Sequence, residues 1–330
     1  MAIDKDAFRR ASREKPTFSI AQGAAALARH GLGSLRGWCE VGANPTNCLY
    51  RAECSDAKVY FVKIQFRKAF SLEVQCRVTE LLRERTELPV SELCVFGGEE
   101  WTFGHPYLIS SELPGASGRV FFEETDDEKR LRMLREFGAA VAVIHRQQLE
   151  EGGLPTRDLR SWRETVREKL LDNRPLVSLL PVECRGKLDG IAERLERIDA
   201  EPEDTSRGLL WGDATLHNLL VDGEGHITGV VDFENGAVGD LLVDQLHVSG
   251  DFRVRSPREI YGREEYPEAF WDGYLEAGGV RVEPGERYLK IRAVAQNAGS
   301  ICWFWEALGL LHPRTPDWLD ELEVALKGLE

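Results

Sequence analysis

Apolar and polar residues alternate along the first third of the chain, as they do in strands that bury one face. The alternation predicts strands at 37–53, 59–65, 92–96 and 106–112, with a turn at 54–58. Two segments of this third follow a helical spacing instead, 18–30 and 71–87, and Ser71 is a suitable N-cap for the second. The first third is therefore predicted to form a sheet that carries one main helix.

Helical spacing dominates after the turn-rich residues 113–118, so we predict a lobe boundary there, with residues 1–112 in one lobe and 113–330 in the other. The predicted helices of the second lobe are 128–148, 158–172, 181–198, 265–278, 286–308 and 316–329. Residues 209–240 differ, because short apolar runs there flank Asp-Gly-Glu-Gly at 222–225, which is typical of a hairpin. The pattern predicts an α/β (α+β) chain with a small β-rich N-lobe and a larger, mainly helical C-lobe.

Composition and charge narrow the possible classes of function. The 330 residues include 42 Lys and Arg against 56 Asp and Glu, a formal net charge of −14, which argues against a general nucleic-acid binder and suits a cationic small molecule. The longest apolar run, 139–144, is too short to span a membrane, and seven cysteines without a Cys-x-x-Cys pair indicate reduced thiols. We therefore expect a cytoplasmic protein with neither a membrane nor a nucleic-acid partner.

The residues most informative about chemistry lie between 210 and 234. Asp213 follows a predicted strand, Asn218 comes five residues later at the entry to the hairpin, and Asp232 stands nineteen residues after Asp213. This spacing is typical of phosphoryl-transfer loops, in which one carboxylate accepts the proton of the attacking hydroxyl while an Asn and a second carboxylate hold Mg²⁺. An isolated Asp and Asn at this spacing would more often form a turn. Together with Asp232, they predict a catalytic base, Asp213, and two metal ligands, Asn218 and Asp232.

This segment resembles the aminoglycoside phosphotransferase and choline kinase family, small-molecule kinases with a protein-kinase-like fold. The family motif runs His-Gly-Asp, four residues, Asn, and then Asp-Trp or Asp-Phe followed by Gly-Asp. The matching residues are Gly212-Asp213, Asn218, Asp232-Phe233 and Gly239-Asp240, with Asp244 as the usual second structural acid. Trp211 stands in the place of the motif's first His. The resemblance implies a bilobal fold with the nucleotide between the lobes, and Mg²⁺-dependent transfer of a phosphoryl group from ATP or GTP to a hydroxyl.

The same resemblance implies nucleotide-binding residues in the first lobe and at the lobe boundary. Lys63, on the apolar segment 59–65, would clamp the phosphates. Glu73 on the following helix would orient Lys63, and Glu80 is the alternative. Three further residues would contact the nucleotide through the covering turn or the hinge between the lobes: Asn47, Ser111 and Leu113.

The acceptor is the least specified part of the prediction. An antibiotic, above all an aminoglycoside, is the first choice, and a metabolic acceptor such as choline, another amino alcohol or a sugar is the alternative. A catalytically silent nucleotide-binding pseudokinase is a rival of a different class, because Trp211 replaces the motif's His. A protein kinase is disfavoured, since no Ala-Pro-Glu sequence follows Asp232.

Overall fold

A five-stranded antiparallel sheet forms the centre of the N-terminal region. The computed structural model of the chain describes residues 5–67, 71–98, 102–149, 158–159, 180–182, 184–188, 206–242, 244–245, 248, 263–282 and 286–327. The strands are β1 (Leu35–Ala43), β2 (Asn47–Cys54), β3 (Val59–Gln65), β4 (Cys94–Gly97) and β5 (Tyr107–Ser111), in the spatial order β1-β2-β3-β5-β4. Apolar side chains such as Tyr50, Val62 and Ile109 pack on one face, so the predicted β-rich N-terminal region is confirmed.

The segment 37–53, predicted as one stretch of strand, is divided between β1 and β2. The division is caused by Asn44, whose Oδ1 accepts hydrogen bonds from the backbone N of Thr46 at 2.9 Å and of Asn47 at 2.6 Å. An Asn side chain that bonds its own following backbone closes a tight turn. The turn places β2 beside β3, where Leu49 pairs with Lys63.

The described N-terminal residues also form three helices: α1 (Lys5–Arg13), α2 (Ile20–Arg29) and α3 (Leu72–Arg85). The predicted helices 18–30 and 71–87 correspond to α2 and α3, whereas α1 was not predicted. Ser71 caps α3 as expected, since its side chain accepts a hydrogen bond from the backbone N of Val74 at 3.2 Å. The buried positions of α3 include Leu72, Gln75, Cys76, Thr79 and Leu82, which share one face of the helix.

Helices dominate the C-terminal region, as predicted. Its elements are β6 (Ala116–Ser117), α4 (Gly118–Glu124), α5 (Asp127–His145), β7 (Asp158–Leu159), β8 (Arg207–Leu210), β9 (Leu219–Val221), β10 (Ile227–Val230), β11 (Ala237–Asp240), α6 (Glu265–Glu276), α7 (Glu286–Leu308) and α8 (Thr315–Lys327). The strands form two small sheets, β10-β9-β6 and β7-β11-β8. The predicted helix 158–172 is wrong at its start, because residues 158–159 form β7 and pair with β11. The rest of that predicted helix, 160–172, and most of the predicted helix 181–198 lie outside the described residues.

The two helices α5 and α6 cross at very short range. A Cβ atom on Gly138 would lie 1.9 Å from the Phe270 carbonyl oxygen, and one on Gly273 would lie 1.9 Å from that of Arg135. The backbones therefore approach each other only because both positions are glycine. No helix among the described residues is both long and apolar enough to cross a membrane.

Candidate active site

A buried carboxylate fixes the loop that carries Asp213. Asp244 is fully buried and accepts hydrogen bonds from the backbone N of Trp211, at 2.6 Å, and of Gly212, at 2.9 Å. Gly212 has a φ of 82°, and a Cβ there would lie 2.2 Å from the Asn235 carbonyl oxygen. Only glycine fits such a position. The loop after β8 is therefore held rigidly at the residue before Asp213.

Asn218 lies beside Asp213 in the structure. Its Nδ2 donates hydrogen bonds to the Asp213 carbonyl oxygen at 2.9 Å and to Asp213 Oδ2 at 3.0 Å. The short 3₁₀ turn Leu216–Asn218 just before β9 carries this amide, which is buried. Since the amide nitrogen serves Asp213, the amide oxygen is the atom of Asn218 suited to a cation.

Asp232 meets Lys63 at the contact between the two regions. Lys63 Nζ donates to Asp232 Oδ1 at 2.8 Å and forms an ion pair with Glu234 Oε2 at 2.6 Å. Asp232 has a φ of 66°, an uncommon backbone conformation for a residue other than glycine. The central strand β3 thus brings its lysine to the carboxylates that follow β10.

Burial and pairing shift the pKa values of this cluster. Burial acts to lower the pKa of Lys63, but the attraction of Asp232 and Glu234 outweighs it and the pKa is raised. Burial also raises the pKa of Glu234; Lys63 opposes that rise, while the negative charges of Asp232 and Asp213 add to it. Lys63 therefore remains a cation at neutral pH, facing a cluster of carboxylates.

Trp211 joins the loop of Asp213 to the loop of Asp232 by a hydrogen bond. Its indole Nε1 donates to the Val231 carbonyl oxygen at 3.0 Å, and Val231 immediately precedes Asp232. The ring is fully buried, edge-on to Phe137 at 6.0 Å between centroids and tilted against Phe233 at 5.5 Å. The residue that departs from the motif therefore packs in the core and still supplies an N–H donor.

The predicted pair of Lys63 with Glu73 does not form. Glu73 is exposed, whereas Gln75 is buried and its Oε1 lies 3.4 Å from Lys63 Nζ. Each residue turns the helix by about 100°, so Glu73 and Gln75 lie on different faces. Glu80, the alternative, is hydrogen-bonded by Arg77 at 3.4 Å. The phase of helix α3 therefore places Gln75, and not Glu73, next to Lys63.

Asn47 lies at the start of β2, directly after the turn that was expected to cover the nucleotide. Its side chain is 3% exposed, and neither Nδ2 nor Oδ1 has a hydrogen-bond partner among the described residues. A buried amide without a partner is costly unless a ligand or solvent satisfies it. This observation agrees with a polar ligand at the turn.

The two predicted hinge residues differ in what their backbones offer. Ser111 N donates to the Leu93 carbonyl oxygen at 3.0 Å, and the Ser111 carbonyl oxygen accepts from Ser91 Oγ at 2.8 Å. Leu113 has no backbone hydrogen bond within the part of the chain that the structure describes. Of the two, Leu113 therefore retains the donor and acceptor needed to bind a base.

Sequence reasoning assigned no role to Glu234 or Gln75. The sequence positions of both residues could have indicated a place near the site. Glu234 follows Asp232 by two residues, and Gln75 stands three residues after Leu72 on the buried face of α3. Neither position identifies a lysine partner on its own, because the contact joins residues far apart in the chain.

A comparison with protein-family models matches residues 47–289 to the phosphotransferase enzyme family. A comparison with curated protein sequences gives no significant match. Among solved structures, a candidate aminoglycoside phosphotransferase from Ralstonia eutropha aligns with a TM-score of 0.65 at 14% identity, over 94% of this chain and 99% of that chain. Macrolide 2′-phosphotransferase MphH from Brachybacterium faecium aligns with a TM-score of 0.55 at 21% identity, over 94% and 98%.

A third structure is the GDP and kanamycin complex of APH(2″)-IIIa, with a TM-score of 0.60 at 14% identity over 94% of this chain and 98% of that chain. These alignments confirm a kinase-like phosphotransferase fold. The family model covers well over half of the chain and includes the whole segment from β2 to α6. The chain therefore belongs to the phosphotransferase enzyme family, and the prediction of a small-molecule kinase of that family is confirmed.

Proposed function

We propose that the chain transfers a phosphoryl group from ATP or GTP, with Mg²⁺, to a hydroxyl of a small molecule, with an aminoglycoside or another antibiotic as the first acceptor to test. The observation that carries the proposal is the hydrogen bond of Asn218 to Asp213 together with the ion pair of Lys63 and Asp232. Two loops and a strand from distant parts of the sequence supply these groups.

The residues present fit a nucleotide with Mg²⁺. Lys63 offers an ammonium for phosphates, and the buried amide of Asn47, which has no hydrogen-bond partner among the described residues, offers both a donor and an acceptor. Asn218 and Asp232 offer hard oxygen ligands, which Mg²⁺ prefers in small number because it completes its shell with phosphate oxygens and water. This small donor set agrees with the finding that no group of three or more His, Cys, Asp and Glu among the described residues is arranged to hold a metal.

Each residue has a role that follows from its position. Asp213 accepts the proton of the attacking hydroxyl, and Asn218 orients the Asp213 carboxylate through the 3.0 Å hydrogen bond. Lys63 holds phosphate oxygens through its positive charge. Mg²⁺, when bound by Asn218 and Asp232, neutralises charge on the phosphates. Catalysis is then mainly positioning and electrostatic stabilisation.

Two observations support an antibiotic as the acceptor. The solved relatives carry the names of macrolide and aminoglycoside enzymes, and two are complexes with kanamycin and gentamicin. The net charge of −14 favours a cationic acceptor such as an aminoglycoside. The cytoplasm, where ATP and GTP are available, remains the predicted compartment.

The test is nucleotide consumption by the purified protein with Mg²⁺, screened against aminoglycosides, macrolides, choline-like amines and sugars. Products are identified by mass spectrometry as phosphorylated acceptors. Asp213→Asn keeps the shape of the side chain and its contact with Asn218, so we expect the fold and nucleotide binding to persist while turnover falls by about 10²- to 10⁴-fold.

Asp272→Asn is the matched control, because Asp272 is an exposed residue of α6. It should retain full turnover. Unchanged turnover in Asp213→Asn would refute Asp213 as the base. Nucleotide binding without consumption, across all acceptors, would favour the silent pseudokinase.

A further inference from the structure

The carboxylate partner of Lys63 is supplied from the loop after β10, not from helix α3. Gln75 is the α3 residue that contacts Lys63 Nζ, at 3.4 Å, and it carries no charge. Among the described residues, two carboxylates lie within ion-pair distance of Lys63 Nζ: Asp232, at 2.8 Å, and Glu234, at 2.6 Å. The charge needed to hold a buried ammonium therefore comes from the C-terminal region.

Asp232 and Glu234 differ in how deeply they are buried. The side chain of Glu234 is 9% exposed, whereas that of Asp232 is 31% exposed. Asp232 is the more open of the two and is also the proposed metal ligand. A lysine that depended on Asp232 alone would share its only carboxylate with the metal ion. Glu234 provides a second, deeper carboxylate that does not have to be shared.

The loop that carries Glu234 is docked on α3. The Glu234 carbonyl oxygen accepts a hydrogen bond from the backbone N of Ser71, the N-cap of α3, at 3.3 Å. A Cβ on Gly236 would lie 2.9 Å from Val78 Cγ2 and 3.4 Å from Val74 Cγ1. The close approach of this loop to the helix brings the Glu234 carboxylate to the place where a carboxylate of α3 was predicted.

We propose that Glu234 is the positioning residue of Lys63: it holds the ammonium toward the interlobe site, in the place that Glu73 was predicted to fill. The role in turnover rests on the proposed phosphoryl transfer, whereas the Lys63–Glu234 pairing itself does not. Two experiments separate the two claims.

The first experiment measures the pairing without nucleotide or turnover. A double-mutant cycle with Lys63→Met and Glu234→Gln is measured by urea unfolding of the full chain. We expect a coupling of at least about tenfold in the unfolding equilibrium constant. In the control cycle, Glu84→Gln replaces Glu234→Gln and is combined with Lys63→Met. Glu84 lies on the exposed side of α3, so this cycle should give no coupling. Absence of coupling between Lys63 and Glu234 would overturn the pairing.

The second experiment moves the carboxylate to α3. Glu234→Gln should lower kcat/KM by about 10- to 100-fold, because glutamine removes the negative charge that faces the Lys63 ammonium at 2.6 Å. The double variant Gln75→Glu with Glu234→Gln should recover most of that loss, because position 75 already contacts Lys63. Glu84→Gln is again the matched control and should keep full activity.

The rescue distinguishes positioning from metal binding. If Glu234 held the metal ion instead, a carboxylate at position 75 would not replace it, and failure of the rescue would overturn the proposal. A larger loss in Glu73→Gln than in Glu234→Gln would also overturn it, in favour of the α3 carboxylate. Absence of turnover in the wild-type chain, with the Lys63–Glu234 coupling present, would count against the proposed function and leave the pairing supported.

Discussion

At the scale of single residues, Trp211 departs from the motif and connects two loops of the candidate site. The indole donates to the Val231 carbonyl oxygen at 3.0 Å, while the backbone N of the same residue donates to Asp244. One residue therefore connects the Asp213 loop to the residue before Asp232. The ring also fills the core between Phe137 and Phe233, a volume that a histidine would fill less completely.

The hydrogen bond of Trp211 predicts a specific defect in Trp211→Phe. Phenylalanine keeps an aromatic ring but leaves the Val231 carbonyl oxygen without its donor, so Asp232 loses a constraint. We expect the apparent affinity for Mg²⁺ in turnover to fall by about tenfold, the usual cost of losing an outer-shell contact of a metal ligand. Trp211→His restores a donor and should recover Mg²⁺ affinity with a lower melting temperature, because its smaller ring leaves a cavity. If Trp211→Phe keeps the wild-type Mg²⁺ dependence, the hydrogen bond from Trp211 to Val231 is not needed for Mg²⁺ affinity.

Residue identity and spacing were sufficient to single out Asp213 and Asn218, which a hydrogen bond joins in the structure. They were not sufficient for the partner of Lys63. The choice between Glu73 and Gln75 depends on the exact phase of α3, and the contribution of Glu234 depends on the contact of a loop with a helix. Spacing along the sequence describes neither, because both are set by tertiary packing.

At the scale of secondary-structure elements, the N-terminus of α5 is tied to α6 by one carboxylate. Asp127, in the first turn of α5, accepts hydrogen bonds from the Tyr266 hydroxyl at 2.7 Å and from Arg130 at 2.9 Å, and it also pairs with Arg263. The Tyr266 hydroxyl contributes most, followed by the two guanidinium groups, and together they lower the pKa of Asp127 to about 2. This carboxylate therefore joins the first turn of α5 to α6.

The lowered pKa of Asp127 predicts a stability difference that depends on pH. A carboxylate whose folded pKa lies below its ordinary value stabilises the fold above that ordinary value, and the contribution is lost as the pH falls toward the folded pKa. Asp127→Asn should therefore be less stable than the wild type at pH 7, with the difference shrinking between about pH 4 and pH 2. Denaturant midpoints across this range provide the measurement. In a Tyr266→Phe background, the stability difference caused by Asp127→Asn should be smaller. A stability difference that does not change with pH would contradict the lowered pKa of Asp127.

At the scale of the whole molecule, long-range strand pairing explains most of what the sequence did not predict. Alternation predicted four strand segments, and these form the five strands of the sheet because 37–53 is divided between β1 and β2. The strands β6, β7 and β11 are two to four residues long and pair with partners distant in the chain. Such short segments carry no periodicity of their own. The ion pairs of Lys63 with Asp232 and Glu234 then join the N-terminal sheet to the C-terminal region.

This coupling between regions predicts that nucleotide binding is visible in the unfolding of the whole chain. A ligand that binds only the folded state at about 100 times its Kd adds about 2.7 kcal/mol of stability, so ATP or GTP with Mg²⁺ should raise the melting temperature. Asn47→Ala removes a buried amide that has no partner among the described residues, so the variant without nucleotide should be at least as stable as the wild type, while its shift with nucleotide should be smaller. Asn297→Ala, in α7, is the control and should keep the full shift. If Asn47 contacts the nucleotide, the rise in melting temperature with nucleotide should be smaller in Asn47→Ala than in the wild type. A full rise in Asn47→Ala would exclude Asn47 from the nucleotide site.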